Sequence, residues 1–360
     1  MRLAFTALCS LLLTACNCNA SQDVTYPVVG DPDAGAPLDN FGSWLSMDVA
    51  PDNARLTMAY YDLDRTGLGY AVGTPSADGT IRWLHEQVDG YPDSVGLDLV
   101  DVGRYASQRT APDGTVWVAY QDVANGTLKV AQRLGPNQWE LGGVVDGGGE
   151  GGNWASLQID EQGLPVVVHC DGSDARRAAW DGTSWSTGTL YTGGCAHTAL
   201  SIDGGRERVA LYDTSQQSLV LIEDGSAAEV VDDAGDVGAW PSMWTDGTQL
   251  VIAYQDVENQ DLKLATRQGG SWDISVVDDG PLRGADSVVF ERDGALSVLY
   301  FDGWGNDLRL ATQGASGWEQ TVIGTEGAAV GFHNEVVFAA GLWWAGSFDH
   351  TERTLFVSAL

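Results

Sequence analysis

Lysine is almost absent from this chain of 360 residues, with Lys129 and Lys263 as its only two examples. Lysine and arginine together number 18 against 50 acidic residues, and the formal net charge is −32. So acidic a surface repels the phosphate backbone of nucleic acids and anionic lipid headgroups, and we therefore expect no nucleic-acid partner. The same charge would attract cations or basic partners, and it also fits the ordinary acidic surface of an exported protein.

Long apolar runs are scarce as well, and none is long enough to cross a bilayer. The apolar run at residues 3–13 follows Arg2 and has the form of a secretory signal. The next letters, LTAC at residues 13–16, resemble a bacterial lipobox. This resemblance implies cleavage before Cys16 and lipidation of its sulfur, and an ordinary signal peptide cleaved nearby is the alternative.

The expected organisation is a signal peptide at residues 1–15, a lipidated tether at 16–22 and a single domain at 23–360. Asn17 rather than an aspartate follows the cysteine. By resemblance to enteric lipoproteins, this favours delivery to the outer membrane. We therefore expect an exported monomer that touches the outer membrane only through its lipid anchor, on either the periplasmic or the surface side.

One phrase recurs along the chain, which reads AYQDVANGTLKVAQRLGPNQW at residues 119–139 and AYQDVENQDLKLATRQGGSW at 253–272. Its Tyr-x-Asp core has clear and weaker copies, whose aspartates are 42 to 60 residues apart. These aspartates are Asp62, Asp122, Asp171, Asp213, Asp256, Asp302 and Asp349. Periods of about 40–50 residues are typical of blade-type repeats, so seven copies predict seven structural units.

Each unit contains four short strand-like runs, as the fifth unit shows. Its second run, QLVIAY at 249–254, is almost continuously apolar, and its fourth, WDISVV at 272–277, begins by alternating apolar and polar residues. Hairpin-forming pairs such as Asp-Gly separate the runs. The pattern predicts an all-β, seven-bladed β-propeller of four-stranded antiparallel blades. The seventh unit stops after its third run, so we expect residues 24–31 to supply its fourth strand and close the ring.

The repeat resembles those of bacterial propeller lipoproteins built on Tyr-x-Asp-x-x-Asn-x-x-Leu phrases. The Gly-x-x-Trp turns at 182–185 and 269–272, and the stretch SADGTIRW at 76–83, resemble degenerate Asp-boxes of the sialidase superfamily. Similar aromatic-rich blades occur in fucose-binding propeller lectins. These resemblances cover residues 23–360 as architecture, and the function that we expect is a binding or scaffold module that recognises a glycan or protein ligand. The alternatives are a glycan-processing hydrolase of sialidase-like architecture and a purely structural surface protein.

Propeller topology places the start of each first run and the end of each second run on one face, the top face. We expect an inner ring at the starts of the first runs, formed by Trp44, Tyr105, Trp154, His197, Trp240, Ala285 and His333. The seven repeat aspartates end the second runs and would surround this ring. Aromatic rings beside carboxylates suit a sugar, a basic peptide or a cation. The structural alternative is that the aspartates cap hairpins and the tryptophans pack between blades.

Function is expected where the repeat is broken. Blade three has His169, Cys170 and Asp171 at the positions where other blades have Tyr-x-Asp. Cys195 and His197 lie at the start of blade four. We predict a Cys170–Cys195 disulfide, because an exported protein folds in an oxidising compartment. Zinc bound by these cysteines and histidines is one alternative, and free thiols are the other.

An enzyme finds little support in the sequence, which has no phosphate loop, nucleotide fingerprint or serine nucleophile elbow. Glu335 replaces a recurring serine near His333, and with His197 these residues form the best acid–base cluster. A sialidase-like site would also need three converging arginines. The arginines expected near the top face are Arg65, Arg104, Arg283 and Arg353.

We therefore assign no catalytic residue, no cofactor and no metal. Calcium near residues 62–67 would match only a fragment of a calcium-loop motif. Arginines that converge with Glu335 at the channel mouth would favour an enzyme. A mouth lined by aromatic side chains and poor in arginine would favour a binding protein.

Overall fold

The computed structural model describes residues 40–76, 80–91, 100–147, 149–324 and 327–360. Within these ranges the chain forms 27 strands in seven antiparallel sheets. The same ranges contain no helix, and so none that could cross a membrane. The predicted all-β, seven-bladed β-propeller is confirmed. The signal, the tether, the closing strand at 24–31 and residues 77–79 of the Asp-box-like stretch lie outside the described residues.

Blade one comprises β1 (Phe41–Val49), β2 (Leu56–Asp62), β3 (Gly67–Pro75) and β4 (Ile81–Asp89). Blade two comprises β5 (Val102–Thr110), β6 (Val116–Asp122), β7 (Thr127–Gly135) and β8 (Gln138–Asp146). Blade three comprises β9 (Asn153–Ile159), β10 (Pro165–Asp171), β11 (Asp174–Trp180) and β12 (Trp185–Thr192). Blade four comprises β13 (Ala196–Asp203), β14 (Arg206–Asp213), β15 (Ser218–Glu223) and β16 (Glu229–Asp232).

Blade five comprises β17 (Val237–Thr245), β18 (Gln249–Asp256), β19 (Asp261–Gln268) and β20 (Ser271–Asp278). Blade six comprises β21 (Arg283–Arg292), β22 (Ala295–Asp302), β23 (Asp307–Gly314) and β24 (Gly317–Ile323). Blade seven shows β25 (Val330–Ala339), β26 (Leu342–Asp349) and β27 (Thr354–Ala359) in the described part of the chain.

The strands of each blade pair in chain order, so that the first strand is innermost and the last is outermost. The first strands of successive blades contact one another, and β1 contacts β25. Blades one and seven are therefore neighbours, and the seven first strands surround a central channel.

The hydrophobic core is divided among the interfaces between neighbouring blades. The cluster between blades one and seven, for example, joins buried Met58 and Trp83 to buried Trp344 and Val357. Second strands supply much of this core, because neighbouring blades cover both of their faces. Every residue of β2, for example, is buried. The outermost strands β8 and β20 are largely exposed, whereas β4 is mostly buried.

The Tyr-x-Asp phrase makes two kinds of stabilising contact. The aspartate caps its own hairpin: the Asp256 carboxylate accepts hydrogen bonds from the backbone N–H and the side-chain amide of Asn259, at 2.8 and 3.0 Å. The tyrosine ties its blade to the preceding one, since the Tyr254 hydroxyl donates to Asp232 of β16 at 2.7 Å. Two other blades repeat this tie, from Tyr120 to Asp89 and from Tyr300 to Asp278.

The only two lysines of the chain lie in these seams between blades. Lys263 of β19 lies 3.7 Å from Asp232 of the preceding blade and 2.5 Å from the buried carboxylate of Asp256 in its own blade, and Lys129 of β7 binds Asp89 of the preceding blade. Both lysines are mostly buried. A buried carboxylate needs such a partner, because leaving either charge alone would cost several kcal/mol.

A recurring serine links the first strands around the channel. The Ser46 hydroxyl oxygen accepts a hydrogen bond from the backbone N–H of Gln108 in β5, at 3.0 Å. Equivalent bonds run from Leu157 to Ser107, from Leu200 to Ser156 and from Val289 to Ser242. These serines hold neighbouring first strands side by side and so fix the spacing of the channel wall.

Candidate functional site

The residues at the entrances of the first strands share a backbone conformation that bulky L-residues rarely adopt. Each has a φ in the left-handed region: Trp44 (45°), Tyr105 (52°), Trp154 (50°), His197 (50°), Trp240 (54°), Asp286 (49°) and His333 (55°). We call these seven residues the channel ring. A glycine precedes most of them by two positions. At Gly103 (φ 108°) an added Cβ would lie 2.9 Å from the Cα of Leu68 in the neighbouring blade. Only glycine fits this close approach without a shift of the backbone.

Blade six contributes Asp286 to the channel ring, and the expectation of Ala285 was wrong. That expectation matched Ser287 with the recurring serine of the other blades. The glycine gives the correct register instead: Asp286 follows Gly284 by two residues, as Trp240 follows Gly238. The acidic member of the ring was therefore missed in the sequence, although the glycine spacing could have found it.

Aromatic contacts link the ring on the side of blades seven, one, two and three. The His333 imidazole stacks on Trp44 with ring centroids 5.2 Å apart. The ring centroids of Trp44 and Tyr105 are 5.4 Å apart, and those of Tyr105 and Trp154 are 4.7 Å apart. The Arg104 guanidinium also lies 5.5 Å from the centroid of Trp44 and is held there by Asp101.

The contacts continue through blades four and five. His197 lies between Trp154 and Trp240, with centroid distances of 4.1 and 3.9 Å. Asp286 of blade six follows Trp240 and precedes His333 in the order of the blades, which completes the ring. Six aromatic side chains and one carboxyl group thus surround the top of the channel.

These side chains border a cavity of about 170 Å³ at the channel mouth. The ring residue and the next residue of every blade form its lining. The second set consists of Leu45, Ala106, Ala155, Thr198, Pro241, Ser287 and Asn334. Neither lysine nor arginine belongs to this lining, and Asp286 is its one acidic residue.

Burial changes the protonation of the ionisable ring residues. It lowers the pKa of His197 to about 3 and that of His333 to about 4, so both imidazoles are neutral near physiological pH. Burial raises the pKa of Asp286 to about 7, against the opposing effect of a hydrogen bond from the backbone N–H of His333. Asp286 therefore changes its charge close to neutral pH.

Two buried polar atoms beside the cavity have no hydrogen-bond partner in the described part of the chain: His197 Nδ1 and Asn334 Oδ1. The Asn334 amide nitrogen, by contrast, donates to the backbone carbonyl of Asp286 at 3.0 Å. Buried polar atoms are nearly always satisfied, so these two atoms are unfilled hydrogen-bonding capacity in residues of the cavity lining.

Glu335 lies two residues beyond His333 on β25 but is not part of the cavity lining. Burial, followed by the nearby Asp48, raises its pKa to about 7, while Arg109 and a hydrogen bond from the Ser46 hydroxyl oppose this rise. Its neighbours therefore belong to the channel wall below the ring. The acid–base cluster of Glu335, His333 and His197 has only its two histidines at the cavity.

The repeat aspartates end the second strands, as expected, but none of them lines the cavity. Six of the seven use their carboxylates to accept backbone N–H groups of their own hairpins; these six are Asp62, Asp122, Asp213, Asp256, Asp302 and Asp349. Asp171 accepts instead from the backbone N–H of Glu150, at 3.3 Å. This geometry supports the structural alternative for the aspartates.

The predicted disulfide between Cys170 and Cys195 is present, with their Cα atoms 5.6 Å apart. Both sulfurs are in the disulfide and are therefore not free to bind zinc. No cluster of three potential metal ligands occurs in the described ranges. His169 takes the place of the seam tyrosine in blade three, since its Nε2 lies 3.3 Å from Asp146. The break in the repeat at His169 is thus structural.

The arginines considered for an enzyme site each lie near a carboxylate or at the surface. Arg65 pairs with Asp62 at 3.3 Å, and Arg104 pairs with Asp101 at 2.9 Å. Arg283 is buried between Asp278 and Asp302. Arg353 is exposed. None of these four lines the cavity, whose mouth is aromatic instead.

No protein-family model matches this chain, and neither does any curated protein. Among solved structures, virginiamycin B lyase from Staphylococcus aureus, in an inactive form with quinupristin, has a TM-score of 0.60 and 12% identity. That likeness covers 89% of this chain and 96% of the lyase. A Hadza microbial sialidase has a TM-score of 0.50 and 12% identity, over 72% of this chain and 63% of the sialidase. At these identities the likeness shows the propeller fold alone.

Proposed function

We propose that this protein is a binding module that recognises its ligand at the mouth of the central channel. The observation that carries the proposal is the left-handed backbone of the whole channel ring. Glycine or asparagine would adopt that conformation with less strain, yet the ring holds three tryptophans, a tyrosine, two histidines and an aspartate. Such residues cost on the order of 1 kcal/mol or more each and concentrate at functional sites. The side chains that they present to the cavity are the best candidates for contact with a ligand.

A sialidase-like hydrolase is less well supported, because the arginines that it would need are separated and Glu335 is outside the cavity lining. A purely structural role would account for the recurring bulge of the first strands at these positions, but it would not require large aromatic side chains around an open cavity. A glycan or a segment of another protein is the class of ligand that the fold accommodates. Indole faces stack on sugar rings and also pack against inserted side chains.

The test is a glycan and peptide array probed with the soluble chain that starts at residue 23. Trp44→Gly removes one ring indole and leaves a residue that tolerates the left-handed backbone, so the fold should persist while bound signal falls roughly tenfold or more. Trp304→Ala is the control, because Trp304 is 72% exposed and lies outside the cavity lining. Binding that survives Trp44→Gly but not Trp304→Ala would place the site elsewhere, and a parent chain without any signal would contradict recognition of glycans and peptides.

We also propose that the propeller lies outside the cytoplasm, anchored to the outer membrane by a lipid on Cys16. The basis is the lipobox-like LTAC at residues 13–16. Cys16→Ser should move the protein from the membrane to the soluble fraction, because serine lacks the sulfur that would carry the lipid. Firm anchoring needs several acyl chains, which this variant would not receive. Membrane fractionation of both forms is the measurement, and a serine variant that stays with the membrane would argue against the anchor.

A further inference from the structure

The cavity at the channel mouth offers negative charge and no positive charge. Asp286 is the acidic residue of its lining, and the two lining histidines are neutral because burial lowers their pKa values. The chain as a whole carries a formal charge of −32, which raises the local concentration of cations. An anionic ligand would therefore find no positively charged partner in this lining.

We propose that the channel mouth binds an alkylammonium group, with Asp286 as its counter-ion and the aromatic side chains of the channel ring as its walls. This inference rests on the proposed binding function and names the chemical class of the ligand. The group can be part of a small amine or the end of a lysine side chain, and the experiment below separates these two sources.

Aromatic walls around a carboxylate suit an organic cation. The π-face of tryptophan or tyrosine attracts an ammonium ion within about 6 Å of its centroid, and the attraction grows when water is excluded. Three indoles and the Tyr105 phenol share this one cavity. One cation of the chain already uses the ring from outside, since the Arg104 guanidinium lies 5.5 Å from the Trp44 centroid.

The polar groups of the cavity lining favour a ligand that donates hydrogen bonds. The Asp286 carboxylate is an acceptor in the lining, and Asn334 Oδ1 is a buried acceptor of a lining residue that has no partner. Two of the lining hydroxyls already donate within the chain: Thr198 donates to the Trp154 carbonyl and Ser287 to the Trp240 carbonyl. An ammonium group brings three N–H donors and needs no acceptor, which matches this inventory.

Binding of the ammonium group should depend on the ionisation of Asp286. The titratable groups near it are His333 and His197 in the ring and Glu335 farther along β25, with Arg109 beside Glu335. Burial raises the pKa of Asp286 to about 7, so a cation binds the deprotonated form and must compete with a proton below that pH. We expect the affinity to fall roughly thirtyfold between about pH 8 and about pH 5.5.

The experiment measures binding of three small probes to the soluble chain from residue 23 by calorimetry at about pH 8. Butylammonium has both charge and N–H donors, tetramethylammonium has charge alone, and 1-butanol has neither charge nor ammonium donors. We expect butylammonium to bind best, tetramethylammonium more weakly and butanol at least tenfold more weakly than butylammonium. Butanol binding as tightly as butylammonium would overturn the inference without any mutation.

Asp286→Asn is the matching variant, since asparagine keeps the size and tolerates the left-handed backbone. It should weaken butylammonium binding at least tenfold and remove the pH dependence. Glu335→Gln is the control, because it removes a second carboxyl group of similar pKa outside the cavity and should leave affinity and pH profile unchanged. A pH profile that follows Glu335 instead of Asp286 would overturn the assignment.

Two peptides identify the source of the ammonium group: one with a single internal lysine, and its counterpart with norleucine. Lysine binding above butylammonium indicates a protein ligand, and butylammonium binding alone indicates a small amine. Neutral array ligands that depend on Trp44 and are not displaced by butylammonium would contradict the ammonium inference but leave the binding function standing. Absence of both kinds of binding would contradict both proposals.

Discussion

The double variant Cys170→Ser, Cys195→Ser is expected to unfold with a free energy roughly 3 kcal/mol below that of the parent chain. The two cysteines are 25 residues apart. Closing a loop of that length removes conformational freedom from the unfolded chain, and the chain-entropy relation gives roughly 3 kcal/mol. Both side chains are also buried among apolar residues of the core between blades three and four, so serine loses packing as well.

The measurement is urea unfolding of the parent and the variant, with intact mass under non-reducing conditions to count free thiols. The parent in a reducing agent is the matched control, since it keeps the sulfur atoms but lacks the bond. The disulfide also holds the segment that leads into His197, which stacks on Trp240. We therefore expect a change in tryptophan fluorescence on reduction. Equal stability of all three forms, or two free thiols in freshly isolated parent, would refute this role.

The fold could be predicted because the residues that recur in the repeat are those that make the contacts within and between blades. Tyr254 and Asp256 are two residues apart since one bonds to the preceding blade and the other caps its own hairpin. Their copies mark the seven blades independently of the weaker strand patterns. The disulfide was predictable for a different reason: propeller topology brings the end of one second strand near the start of the next first strand.

The site was only partly predictable, because the sequence shows which residues reach the top face but not what they bond to there. The sequence places the repeat aspartates on the same face as the channel ring, but their carboxylates accept hydrogen bonds from backbone N–H groups, as at Asp122 and Asp302. Histidine in place of tyrosine at His169 predicts a functional break from the sequence alone, but in the structure it keeps the same contact across the seam, with Asp146. Asp286 was missed by one residue, since the left-handed conformation that defines the ring follows the glycine and not the serine.

The double variant Asp286→Asn, Glu335→Gln is expected to be more stable than the parent at about pH 8. Burial raises the pKa of Asp286 from 3.8 to about 7 and that of Glu335 from 4.5 to about 7. Between the ordinary and the raised pKa the folded chain binds more protons than the unfolded chain, so the parent loses stability as the pH rises through this window. The amides carry no charge and escape that loss.

The linkage relation sets an upper limit of about 4 kcal/mol for a carboxyl group whose pKa rises this far, and access of water to the channel leaves about half of it. We therefore expect the variant to gain about 2 kcal/mol per carboxyl group at about pH 8 and little at about pH 4.5, in urea unfolding at both pH values. Asp246→Asn is the control of opposite sign, because hydrogen bonds from its own turn lower the pKa of Asp246, and it should bring no gain at the higher pH. Parallel stability curves for parent and double variant would show that neither group is strained when charged. A gain in stability joined to the loss of ammonium binding in Asp286→Asn would mean that the chain keeps this carboxylate for its ligand and not for its fold.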